Sequence, residues 1–139
     1  MYEWLDEYLL AKRGGEKYFK PEWSWNIYRV GGKSYADVGV DGEGRPVFAT
    51  FKVEPGKGRF LQRQYRAAAP GFYTNKELYT TIWFNVEAVP GRDRLPAGEP
   101  PEPADYPPDD ILRELADESY AMALARMTKK AREAMLNGE

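Results

Sequence analysis

Trp25-Asn26-Ile27-Tyr28-Arg29-Val30-Gly31-Gly32-Lys33-Ser34-Tyr35-Ala36 is the stretch on which the fold turns. Its first half is rich in aromatic and β-branched residues, as a strand is, and Gly31-Gly32 is a two-residue turn of the kind that suits a tight hairpin. Lys33 to Asp41 is then a second strand, Asp41-Gly42-Glu43-Gly44 a second turn, and Pro46 to Glu54 a third strand with Val47, Ala49, Phe51 and Val53 on one side. Three strands joined by short turns make an antiparallel meander whose face must be covered by helices.

Upstream, Leu5, Tyr8 and Leu9 recur at helical spacing, so Tyr2 to Lys12 reads as an amphipathic helix stopped by Gly14-Gly15. Glu16 to Ser24 holds Tyr18, Phe19 and Trp23 around Pro21 without a clear period and is expected to be a loop pinned by its aromatics. Downstream, Pro55-Gly56 breaks the third strand, and Lys57 to Ala69 has helical character. Leu61, Tyr65 and Ala68 share one stripe, and Arg59, Arg63 and Arg66 share the adjacent one. Pro70-Gly71 ends this helix, and Thr80 to Val86 alternates as a fourth strand. The proline-rich stretch from residue 87 to 108 is expected to be an irregular loop. Asp109 or Asp110 is expected to cap a last helix that presents Ile111, Leu112, Leu115, Ser119, Met122 and Ala123 to the sheet. Thr128 restarts or kinks this helix before Asn137-Gly138 ends it.

The 139 residues suffice for a single domain over 1–139, with 42% apolar and 30% charged residues, and no apolar run approaches the roughly 18 residues of a membrane span. Acids rather than bases follow Met1, which points to the cytoplasm. The chain has neither cysteine nor histidine. That excludes disulfides, thiolate nucleophiles, imidazole bases and zinc sites built on those ligands.

The net charge is −2, but its distribution is uneven. No acid occurs between Glu54 and Glu77, where Lys57, Arg59, Arg63, Arg66 and Lys76 stand. Acids dominate from Glu99 to Glu118, and Arg126, Lys129, Lys130 and Arg132 follow.

In order and spacing, four segments resemble the MmcQ/YjbR family of small bacterial proteins. They are Tyr28 to Ala36; Phe51-Lys52-Val53; Pro70-Gly71-Phe72-Tyr73-Thr74-Asn75-Lys76; and Leu112 to Tyr120, followed by Lys129-Lys130. Tyr73 stands where that family often carries histidine, and Thr128 where a proline is usual before the Lys-Lys pair. The resemblance implies an α+β, two-layer sandwich of the CyaY-like type, with helices on one face of an antiparallel sheet, and a family label of DNA-binding protein.

On that basis Lys52, Arg59, Arg63, Arg66, Asn75 and Lys76 are candidate phosphate contacts, and Tyr73 and Tyr79 candidate stacking platforms for exposed bases. Five phosphate contacts would give log K against log salt a slope of about −4.5. The plain alternatives are that the arginines are a solvated helix face, that the rings belong to the core, that Lys52 discourages edge pairing, and that Asn75 caps a turn. The CyaY-like fold is shared with frataxin, whose carboxylates hold iron. Here the acids of 99–118 lack a fixed ligand geometry and read as solvated surface, so no metal or cofactor is expected. The expectation is a non-enzymatic binding module, monomeric or weakly dimeric, with nucleic acid as its ligand. A protein- or small-molecule-interaction domain using the same groove is the alternative.

Overall fold

The computed structural model describes residues 1–90 and 102–137. The chain runs α1 (Leu5–Leu10), β1 (Glu16–Lys20), β2 (Trp25–Val30), β3 (Lys33–Val40), β4 (Pro46–Lys52), α2 (Pro55–Gln64), β5 (Ala68–Pro70), β6 (Tyr79–Trp83), α3 (Asp109–Ala125) and α4 (Lys129–Leu136). Short 3₁₀ turns lie at Val86–Ala88 and Pro103–Asp105. The strands form one antiparallel sheet in the order β1-β2-β3-β4-β6-β5. Gly31 and Gly32, with φ of 54° and 77°, close the β2–β3 hairpin as its sequence predicts.

One sheet face carries the main core. Leu5 and Leu9 of α1, Leu61 of α2 and Leu112, Leu115, Ala116 and Ala123 of α3 pack on Tyr28, Val38, Ala49, Phe51 and Ile82. Helices thus cover one side of an antiparallel sheet. The other side is covered along one cross-strand row that runs through β2, β3, β4 and β6. There Phe48, Trp83 and Trp25 form a second, smaller cluster under Phe72. Gly39 makes room for it, because a β-carbon at that position would lie 2.1 Å from the Phe48 ring.

Several sequence expectations are corrected. Glu16 to Ser24 is not all loop, because Glu16–Lys20 pairs with β2 in the register Tyr18↔Ile27. This edge strand is largely exposed, so it carries no apolar alternation to announce itself. The helix expected to reach Ala69 ends at Gln64. Tyr65 is already extended, and Ala68–Pro70 pairs with β6. Helix-favouring alanines are overridden there by burial of Ala67, Ala68 and Ala69 in the sheet. The strand expected over Thr80 to Val86 spans Tyr79–Trp83, and Val86 begins a 3₁₀ turn.

Pro108, not an aspartate, occupies the N-cap of α3, and Asp109 and Asp110 lie in its first turn. Thr128 does restart the helix: its hydroxyl accepts from Ala131 N at 3.1 Å as the N-cap of α4. Within the 87–108 stretch, residues 91–101 lie outside the described residues.

Candidate functional site

Alternation along the strands sorts side chains onto the uncovered sheet face in rows. Cross-strand partners give one row of Tyr18, Ile27, Asp37, Thr50, Thr81 and Ala69. The next positions on this face hold Glu16, Arg29 and Ser34, which pair across β1, β2 and β3, and Lys52 with Tyr79, which pair across β4 and β6. Above these rows lies a cleft of about 460 Å³, floored by Ile27 and Asp37. Tyr18, Lys20 and Trp23 wall one side, and Tyr73, Thr74 and Tyr79 the other. That volume falls in the range of sites that enclose small ligands, roughly 300–1,000 Å³.

The two walls are fixed by local backbone geometry. Tyr73 and Ser24 both adopt left-handed conformations, with φ of 54° and 55°, which non-glycine residues rarely take. Ser24 follows Trp23, which is 53% exposed and holds Lys20 Nζ 3.8 Å from its ring centroid. The Tyr73 ring is 83% exposed and lies 4.3 Å from that of Phe72. The loop bearing it is tied to the sheet by Phe72 N, which donates to Thr81 Oγ1 at 2.9 Å, and Thr81 shares a 2.7 Å hydrogen bond with Thr50.

The cations of this face engage rings rather than carboxylates. The Arg29 guanidinium lies 4.2 Å from the Tyr18 ring and Lys52 Nζ 6.0 Å from that of Tyr79. Among the described residues, Lys20, Arg29 and Lys52 form no ion pair. Among the described residues Asp37 is the one carboxylate lining the cleft, and it accepts no hydrogen bond. Burial pushes its carboxyl up to about 6, against the opposing pull of Lys20.

A larger cavity of about 560 Å³ lies on the opposite side, between the start of α1 and the β3–β4 turn, but its cations are already neutralised. Lys17 bonds Asp6 at 2.7 Å, and Arg45 bonds Asp41 and Glu43 at 3.1 and 3.0 Å.

Of the residues expected from sequence, Tyr73 and Tyr79 line the open-face cleft, and Lys52 lies on the same face beside it, with Nζ 6.0 Å from the Tyr79 ring. The rest do not. Arg59 and Arg63 project from α2, in the helical layer, and Arg59 lies 3.9 Å from Glu77. Arg66 falls beyond the helix end, where it pairs with Asp105 at 3.4 Å, so the arginine stripe has two members and not three. Lys57 is held by Glu114 and Glu118 at 2.5 and 2.8 Å. Lys76 Nζ donates to Gly71 O at 3.2 Å, and Asn75 Oδ1 accepts from Glu77 N and Leu78 N, which makes it a turn cap.

Tyr18, Lys20, Trp23, Arg29 and Asp37 were not singled out by sequence. Alternation in Trp25–Val30 puts Ile27 and Arg29 on one face and could have found Arg29. Tyr18 and Lys20 became visible only once β1 was a strand. Among the described residues no three carboxylates gather at metal-binding spacing, and no helix is long and apolar enough to cross a membrane.

No curated protein matches the sequence. The fold is similar to that of the crystal structure of Deinococcus radiodurans protein DR2400, which has a DUF419 domain. The TM-score is 0.67 at 21% identity, over 94% of this chain and 84% of that one. It is also similar to the crystal structure of a protein from Pseudomonas syringae, with a TM-score of 0.57 at 16% identity over 88% and 98% of the two chains. The YjbR family model matches residues 10–122, which takes in every strand, α2 and most of α3, and on that match the chain belongs to the YjbR family.

Proposed function

We propose that the protein is a non-enzymatic binding module that takes single-stranded nucleic acid on the uncovered face of its sheet. The observation that carries this reading is the interleaving of cations that form no ion pair among the described residues with aromatic rings on one face: Lys20 and Arg29 line the cleft with Tyr18, Trp23, Tyr73 and Tyr79, and Lys52 stands beside it over the Tyr79 ring. Stacking on aromatic side chains contributes about 1–3 kcal/mol per base and needs bases free of a duplex. The cations take the phosphates between them. The interface therefore lies on the sheet and not on the arginines of α2, and it includes Lys52, Tyr73 and Tyr79.

The test is fluorescence anisotropy with labelled single- and double-stranded DNA at low and raised salt. Three phosphate contacts to a single strand give a slope of about −2 in log K against log salt. Arg29→Ala with Lys52→Ala is expected to remove most of the binding, and Arg59→Ala with Arg63→Ala to leave it intact. Preference for the duplex, or dependence on Arg59 and Arg63 alone, would overturn the reading.

A further inference from the structure

Asp37 is out of place on a surface built only to hold phosphates. Its carboxylate sits on the cleft floor between Ile27 and Thr50, its cross-strand partners, and receives no hydrogen bond among the described residues. Half-buried carboxylates are ordinarily paired, and this one is not. An ionised carboxylate offers only acceptors, two oxygens side by side, so its natural partner presents two adjacent N–H donors.

A cationic ligand would meet the demand for donors but would also meet Lys20, Arg29 and Lys52 on the same face. A neutral, flat ring with two neighbouring donors and an attached phosphate satisfies the carboxylate, the rings and the cations together. Among the nucleobases guanine alone has that edge, in its N1–H and N2 amino groups. Adenine, cytosine and thymine each present a single donor group on the corresponding edge.

We infer that Asp37 is a specificity-determining residue that selects guanine, accepting its N1–H and N2–H while the aromatic walls stack on the ring. The inference rests on the reading of this cleft as a nucleic-acid site. The titratable and charged groups on the same face as Asp37 are Glu16, Tyr18 and Lys20 from β1, Arg29 from β2, Lys52 from β4, Tyr79 from β6 and Tyr73 from the loop before it. Glu16, the cross-strand partner of Arg29, is the other carboxylate on this face and lies outside the cleft lining, and the chain has no histidine. A proton on Asp37 replaces one acceptor by a donor, so the guanine preference is expected to fade as pH falls through about 6.

The experiment compares a short oligothymidylate with the same strand carrying one central dG, and with one carrying inosine, which lacks the N2 amino group. The dG strand is expected to bind about tenfold tighter than the thymidylate, with the inosine strand between them. Asp37→Asn, which keeps size and removes the second acceptor, is expected to erase the preference, bringing the dG, inosine and thymidylate strands to one affinity. Its fold is checked by circular dichroism. Equal binding of all three strands to the parent protein, or an unchanged preference in Asp37→Asn, overturns guanine selection and leaves the nucleic-acid reading standing. Binding of no strand overturns both.

Discussion

Ser119, buried in α3, bridges two strands: its hydroxyl donates to Tyr35 O at 2.7 Å and accepts from Lys52 N at 3.0 Å. The β3–β4 ladder is paired from Val40↔Pro46 to Asp37↔Thr50, and beyond it Ser119 takes the place of the missing strand-to-strand bonds. A helix in the core thereby fixes the backbone of a residue whose side chain lies on the far side of the sheet.

Ser119→Ala removes that bridge and leaves a buried carbonyl and a part-buried N–H without partners. The expected loss is about 2 kcal/mol, read as a lower urea midpoint at unchanged slope. A shift of less than about 0.5 kcal/mol, the range typical of surface changes, would mean that water or backbone movement satisfies both groups.

Asp37 predicts a pH dependence of stability. An acid whose pKa is raised by folding holds its proton more tightly in the folded state. The raised value therefore costs nothing below the ordinary carboxyl pKa of 3.8, and the cost grows as pH rises to about 6 and is constant above it. Asp37→Asn is expected to be more stable than the parent at pH 8, by up to about 3 kcal/mol, and to lose that advantage below about pH 4. Thermal unfolding at the two pH values checks this. An advantage of the same size at both would assign the effect to packing and not to charge.

Tyr73 separates stability from binding. Glycine takes its left-handed backbone freely, so Tyr73→Gly relieves a cost of about 1 kcal/mol and is not expected to lower the melting temperature. Loss of the exposed ring is expected to weaken single-strand binding about tenfold. A variant that binds normally would show that the ring is not part of the platform.

The meander from Trp25 to Lys52 is legible because its turns are glycine-rich and the inner positions of its third strand alternate, but the register shifts at Tyr28/Arg29 and Gly39/Val40 are not. The covering helices were legible from their apolar faces, Leu5 with Leu9 and Leu112 with Leu115. β1 was not, because an exposed edge strand needs no buried face. Neither was β5, because Ala67, Ala68 and Ala69 favour a helix locally and only pairing with β6 makes them a strand. The site was half legible for the same reasons. Lys52, Tyr73 and Tyr79 lie on segments whose structure was read correctly or whose motif was recognised. Tyr18 and Lys20 lie on an edge strand that carries no apolar alternation, and the helical spacing of Arg66 falls in a turn that does not form.

The chain's four tryptophans provide the most direct test that the uncovered sheet face, and not the helical layer, is the binding surface. Trp23 and Trp25 line the cleft, whereas Trp4 lies on the helical side with the Arg113 guanidinium 4.4 Å from its ring. In a ¹H–¹⁵N NMR titration with an oligothymidylate, the indole N–H signals of Trp23 and Trp25 are expected to shift to saturation while that of Trp4 stays in place. Movement of Trp4, or of the α2 amides around Arg59 and Arg63, with Trp23 and Trp25 unmoved would contradict the account.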